Sequence, residues 1–237
     1  MSKQLYWHFS NGFDGNDDGR PIPLGKWQRM KKHPVHGLTP VPCAAGMHAS
    51  ERALDALESR RGPIVSLCEL RGDVQHGVDK SVGRWRRVVA MADATEVLHR
   101  FAIWCAARAL RQCEVTNPSC WHALRVKSRW LVGRAADGEL EEARGAACAV
   151  CGIRAAYAAA AAANATATDA LAASAAAYAA LAAYAAATDA LAAYADYAPA
   201  YATAAVAHAP AYVDEREMQN AYLESMLLKL LERGKKC

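Results

Sequence analysis

The sequence predicts an α+β protein, with a small mixed, β-rich N-terminal domain over residues 1–92 and an Ala-rich antiparallel helical bundle over residues 93–237. Three observations lead there. Short apolar runs before residue 93 alternate with period two, and beyond it the period lengthens to three or four. The stretch "TDALAASAAAYAALAAYAAATDALAAYADYA", from Thr168 to Ala198, is built almost wholly of alanine, the strongest helix former.

At the N-terminus, "QLYWHF" (4–9) reads as an aromatic strand, and the Gly/Asn/Asp-dense "NGFDGNDDGRP" after it suits a loop or hairpin. A Pro/His/Gly-rich passage then runs through "HPVHGLTPVPCAAGMHAS". In "SERALDALESR" (50–60), Ser50 is placed as an N-cap and Ala53, Leu54 and Leu57 have helical spacing, which predicts a short helix. "PIVSLCELRG" (63–72) sets Ile64, Ser66, Cys68 and Leu70 against Val65, Leu67 and Glu69, the pattern of a strand buried on both faces. Asp79-Lys80 reads as a turn ion pair, and "GRWRRVVAMAD" (83–93) as the last strand.

Asp93 with Glu96 resembles a capping box, opening a helix through "TEVLHRFAIWCAARALRQ" with Val97, Phe101, Trp104, Cys105 and Arg108 on one side. Asn117-Pro118 is an N-cap followed by an N1 proline, and the helix it opens closes at Gly133. Asp137 starts a third, whose early glutamates complement the helix dipole. In the alanine tract Leu171, Tyr178, Leu181, Tyr184, Thr188, Leu191 and Tyr194 form one stripe flanked by methyl groups, suited to close helix packing within the bundle or between copies. Two "TDALAA" copies offer breaks, and Pro199 and Pro210 interrupt the helical pattern beyond the tract. A final amphipathic helix is expected from Asp214 to Gly234, with Met218, Tyr222, Leu223, Met226, Leu227, Leu230 and Leu231 as its wide apolar side.

Charge is unevenly spread. Up to residue 153 there are 22 Lys/Arg against 16 Asp/Glu, and beyond it 6 against 8, so the positive field sits on the front of a chain whose net charge is +4. Anionic partners are steered to such a surface. The start "MSKQLYWHFSNGFDGNDDG" has no apolar secretory core, and eight cysteines without export lead us to expect reduced thiols in a cytoplasm. Asp169, Asp189 and Asp196 recur too often in the tract for a membrane span.

Three groups could carry chemistry. "KSVGRWRRVV" sets Trp85 among Arg84, Arg86 and Arg87, a combination able to stack a base and pair phosphates, although strand alternation parts Arg84 and Arg86 from Trp85 and Arg87. "KWQRMKKHPVH" adds Lys26, Arg29, Lys31 and Lys32, so weak nucleic-acid contact is within reach. Cys148 and Cys151, with Cys113, Cys120 and His122 upstream, could offer thiolates to zinc. At i,i+3 on an Ala-rich face they equally serve as slightly larger alanines, no second paired knuckle exists, and neither a metal nor a cofactor is expected.

The blocks "CAAGMHASERALDALES", "DKSVGRWRRVVAMADATEVLHRFAIWCAARAL" and "GRAADGELEEARGAA", followed by an Ala-rich tail, resemble a family of phage and prophage proteins. There the same blocks read approximately Gly-Leu-His-Ala-Ser, Asp-Lys, and Phe-Ala-x-x-Cys-Ala-x-x-Ala-Leu. The resemblance spans most of the chain from about Cys43 onward and implies a phage-encoded protein acting in the bacterial cytoplasm. It points to a non-enzymatic protein that binds and inhibits or modulates a host protein or ribonucleoprotein complex, such as a CRISPR–Cas defence system. Tyr178, Tyr184, Tyr194, Arg84, Arg86 and Arg87 are the expected contact residues, with self-association as a further use of the tyrosine stripe.

A second resemblance carries an alternative. The order "LYWHFS", "GMHAS", helix, "IVSLCELRG" is similar to ADP-ribosyltransferase-like folds, in which an early strand carries a His and a Gly-x-Tyr/His-x-Ser strand precedes a helix and an apolar strand. It implies an NAD- or nucleotide-binding front domain, with His8 on a ribose or phosphate and His48 beside the nicotinamide or a phosphate. Transfer needs a late glutamate to orient the attacking group; Glu69 stands on an earlier strand, and none is present in "RWRRVVAMAD".

Overall fold

Tyr6–Ser10 form strand β1 where the aromatic run predicts one, and the chain is α+β as expected. The computed structural model describes residues 4–10, 14–15, 20–42, 44–58, 62–112, 115–149 and 209–234. The whole alanine tract, with Tyr178, Tyr184 and Tyr194, lies outside the described residues, as do Cys113 and Cys151. The described chain forms two compact units, Met1–Thr95 together with Leu223–Cys237, and Glu96–Tyr222.

In the first unit, β1 pairs antiparallel with β6 (Ile64–Arg71), β6 with β9 (Trp85–Asp93), and β9 with β4 (Trp27–Arg29), giving the order β1-β6-β9-β4. Six of the eight residues of β6 are buried, as its two-faced apolar pattern requires. The β6–β9 register is irregular between Leu67 and Cys68, where Leu67 faces Ala90 and Cys68 faces Val88. Tyr6, Ile22, Ala49, Cys68 and Val88 close one part of the core, and Met30, Ala45 and Met47 another.

A second sheet joins β5 (Met47–Ala49), β8 (Ser81–Gly83) and β7 (Gln75–His76) in the order β5-β8-β7. The β7–β8 hairpin has no counterpart in the sequence reading, because strands of two and three residues show no periodicity. Lys80 and Asp79 in its turn do form the expected pair, at 3.6 Å. The Asp-rich loop is a small hairpin of β2 (Asp14–Gly15) and β3 (Arg20–Pro21).

One expected cap is corrected. Helix α1 spans Ala53–Glu58, and Ser50, placed as its N-cap, instead exchanges backbone hydrogen bonds with Trp7 at 2.7 and 2.8 Å. The Ala53 amide donates to Glu224 Oε1 at 3.1 Å, so a carboxylate 171 residues away satisfies an orphan donor of the first turn.

The second unit holds α2 (Thr95–Gln112), α3 (Pro118–Trp130) and α4 (Asp137–Ala149). Asp93 Oδ1 accepts from the Thr95 amide at 2.8 Å, but Glu96 turns outward to Arg100 and does not complete a capping box. The buried residues of α2 are Leu98, His99, Phe101, Ala102, Cys105, Ala106, Ala109 and Leu110, while Val97, Trp104 and Arg108 are half-buried, so the apolar face is rotated from the expected stripe. Asn117 Oδ1 accepts from the Ser119 amide at 2.9 Å, and Gly133 takes φ +70° beyond α3, as predicted. Ala123 and Val126 of α3 bury against Leu140, Ala143 and Ala147 of α4.

Helix α5 runs Ala209–Gly234, starting five residues before the expected Asp214. Pro210 therefore lies in its first turn, where a missing amide costs no intrahelical bond. Of its predicted apolar side Leu223, Leu227 and Leu231 are buried, whereas Met218 and Tyr222 are exposed.

Candidate functional site

Two copies of Trp-x-Arg build the most chemically distinctive surface. In a strand, residues i and i+2 share a face, so Trp27 and Arg29 of β4 project together, as do Trp85 and Arg87 of β9. The strands pair antiparallel with Trp27 opposite Arg87 and Arg29 opposite Trp85. Antiparallel pairing of two identical Trp-x-Arg motifs sets each indole against a guanidinium.

Strand β6 extends the pattern, with Glu69 opposite Arg87 and Arg71 opposite Trp85. The result is a lattice of two rows across three strands, Trp27–Arg87–Glu69 and Arg29–Trp85–Arg71.

The contacts tie the rows together. The Arg71 guanidinium carbon lies 4.0 Å from the Trp27 ring centroid and 5.3 Å from that of Trp85. Arg29 sits 5.4 Å from Trp85, and Arg87 5.0 Å from Trp27. These are cation–π distances. Arg87 also donates to Glu69 at 2.6 Å. Arg29 and Arg71 are exposed, and among the described residues neither has a carboxylate partner. Among the described residues, three guanidinium groups thus face one carboxylate.

Gly72, at φ +76°, makes room at the margin. A Cβ there would stand 3.1 Å from Trp85 Cδ1 and 3.1 Å from Arg84 Cβ.

The basic passage named from sequence divides across the fold. Arg87 belongs to the lattice. Arg86 is buried and donates to the His48 carbonyl at 3.1 Å, joining β9 to β5. Arg84 donates to the Leu38 carbonyl at 3.2 Å and pairs with Asp73. Trp27 and Arg71 escaped the sequence reading as site residues, and Arg29 was noted only for its charge. The available signal was the repeated Trp-x-Arg at 27–29 and 85–87.

The two histidines of the alternative stand on different sheets. His8 lies on β1 opposite Ser66, and His48 on β5 opposite Val82. Nearby, His76 Nδ1 is 3.0 Å from Ser81 Oγ and 3.2 Å from Glu51 Oε1, with Tyr6 stacked on its ring. Serine and carboxylate share one ring nitrogen there. A relay to an activated serine needs the two on opposite nitrogens, so this trio is not a nucleophilic triad. Burial pushes the Cys68 thiol up to about 12, leaving it inert.

Titratable groups are also buried in the helical unit. Lys127, fully buried on α3, places Nζ 3.8 Å from the Trp130 ring centroid, and burial lowers its pKa to about 8. His99 of α2 meets the same indole edge-on at 5.7 Å, and burial, then the Lys127 charge, lowers its pKa to about 4. Trp130 Nε1 donates to Asp137 Oδ1 at 2.7 Å.

Among the described residues no group of three His, Cys, Asp or Glu could hold a metal ion. Cys120 is buried and His122 exposed on α3. Cys148 lies on the α4 backbone, and its side chain is outside what is described. No described helix is long and apolar enough to cross a membrane. No family model, curated protein or solved structure matches the chain.

Proposed function

We propose that the protein is a phage-derived, non-enzymatic interaction protein that engages a ribonucleoprotein complex in the bacterial cytoplasm, a CRISPR–Cas effector being one complex of that kind. The observation that carries this reading is the cationic indole lattice on β4, β9 and β6, whose Arg29 and Arg71 are exposed and have no carboxylate partner among the described residues. Exposed guanidinium groups beside flat aromatic surfaces are what a polyanion with planar bases recognises.

The resemblance to phage proteins supports the cellular setting. In this reading the alanine-rich stretch continues the helical bundle, and Tyr178, Tyr184 and Tyr194 supply a second adhesive edge. The transferase alternative has less support, because Glu69 is already engaged by Arg87.

Tagged full-length protein passed through bacterial lysate is expected to retain an RNA-containing complex, and the Arg29→Glu, Arg71→Glu pair to lose most of it. Retention of no such complex, or retention indifferent to that pair, overturns the proposal.

A further inference from the structure

Resting on the binding reading above, we infer that the lattice is a docking platform for single-stranded RNA. Arg29 and Arg71 take phosphates, and bases stack on the guanidinium–indole pairs formed by Arg71 with Trp27 and Arg29 with Trp85.

The geometry argues for a single strand. The platform spans three strands, roughly 10 Å across at about 4.8 Å per strand, and two side-chain positions, roughly 7 Å, along them. That area accommodates two or three unstacked nucleotides and offers one guanidinium–indole pair for each of two bases. The bases of a duplex are stacked on one another and present only their edges, so the guanidinium–indole pairs would have nothing to stack on.

Ordering of the cations favours a ligand that meets both charge and plane. A lone surface arginine loses rotamer freedom when it binds phosphate. Arg71, lying between two indoles at 4.0 and 5.3 Å, has given up much of that freedom in the free protein. Its guanidinium carbon already lies over the Trp27 ring, and a guanidinium group can donate to a phosphate while its plane stacks on a base. Arg87 is held by Glu69 and serves to position Trp27 rather than to bind. Lys26, exposed one residue before β4, adds charge at the same margin. None of these groups reads base edges, so binding is expected to be tolerant of sequence.

The test uses the full-length protein and a fluorescein-labelled 12-nucleotide oligouridine, its DNA counterpart and an RNA duplex of equal length. The single-stranded RNA is expected to bind most tightly, with log K falling against log salt at a slope of roughly −2 for three neutralised phosphates. Arg29→Gln with Arg71→Gln should weaken binding at least about tenfold and flatten that slope by more than half at unchanged melting temperature. Arg71→Lys, which keeps the charge but not the plane, should retain the slope yet still lose affinity.

No binding at low salt, equal or tighter binding of the duplex or the DNA, or a double Gln variant that binds like the parent would each overturn the inference. If the oligonucleotide fails while the lysate complex is still retained, the docking inference falls and the broader reading stands.

Discussion

Lys127 and His99 show how far a neighbour can move a side chain from its ordinary behaviour. In "RVKSRW" nothing marks the lysine out, yet Lys127 is fully buried, with its ammonium over the Trp130 ring. Both groups titrate below their unfolded values, about 8 against 10.5 for Lys127 and about 4 against 6.5 for His99. Within each window the unfolded chain binds more protons than the folded one, so stability rises with pH from about 4 to 6.5 and again from about 8 to 10.5. Chemical denaturation across pH should show two rising limbs. Lys127→Met should abolish the upper limb, leaving stability flat between about pH 8 and 10.5. An unchanged upper limb in that variant would show that another group titrates there.

Gly46 illustrates at the scale of an element what periodicity hides. In "AAGMHAS" nothing marks it out, but its φ of +131° and the Val82 side chain directly against it show that a glycine is needed where β5 lies on β8. Gly46→Ala should cost about 1–3 kcal/mol by overpacking, read as a lower melting temperature. Long elements with clear periods, β1, β6, β9 and α2 to α4, were legible from the chain alone. The α1 cap was not, because Glu224, which replaces Ser50, is remote in sequence.

The lattice was half legible for the same reason. Trp85 and Arg87 were singled out, but their partners Trp27, Arg29 and Arg71 become partners only through strand register. Arg108 donates twice to buried Glu215, at 3.1 and 2.6 Å, and lies over Trp104, which stacks on Tyr222, so α2 and α5 are clasped within the second unit. Arg108→Ala takes the cation from a buried carboxylate that Gln219 still contacts at 3.2 Å, and should cost about 3–5 kcal/mol, whereas replacing both partners by apolar residues of similar size should cost much less. Comparable losses in the single and double replacements would mean that packing, and not the charge pair, holds the helices.

The first unit contains both the first ninety-five residues and the last fifteen, with residues 96–222 intervening between them. Leu223, Leu227 and Leu231 on α5 are buried, and Glu224 caps α1, so the apolar surface of the front unit is complete only when the C-terminal helix arrives. Closing a loop that long carries an entropic cost that grows only slowly with length, so the arrangement is tolerable at equilibrium. It is slow to form, because non-local contacts come late. Leu227→Ala should therefore destabilise by about 2–5 kcal/mol, and the loss should appear in hydrogen exchange of β6 amides, far away in sequence. Leu140→Ala, in the α3–α4 cluster, should cost a similar amount while leaving β6 protection unchanged. If Leu227→Ala instead spared β6, the C-terminal helix would have no part in holding the lattice-bearing sheet, and a chain ending at Tyr222 should then bind as well as the full one.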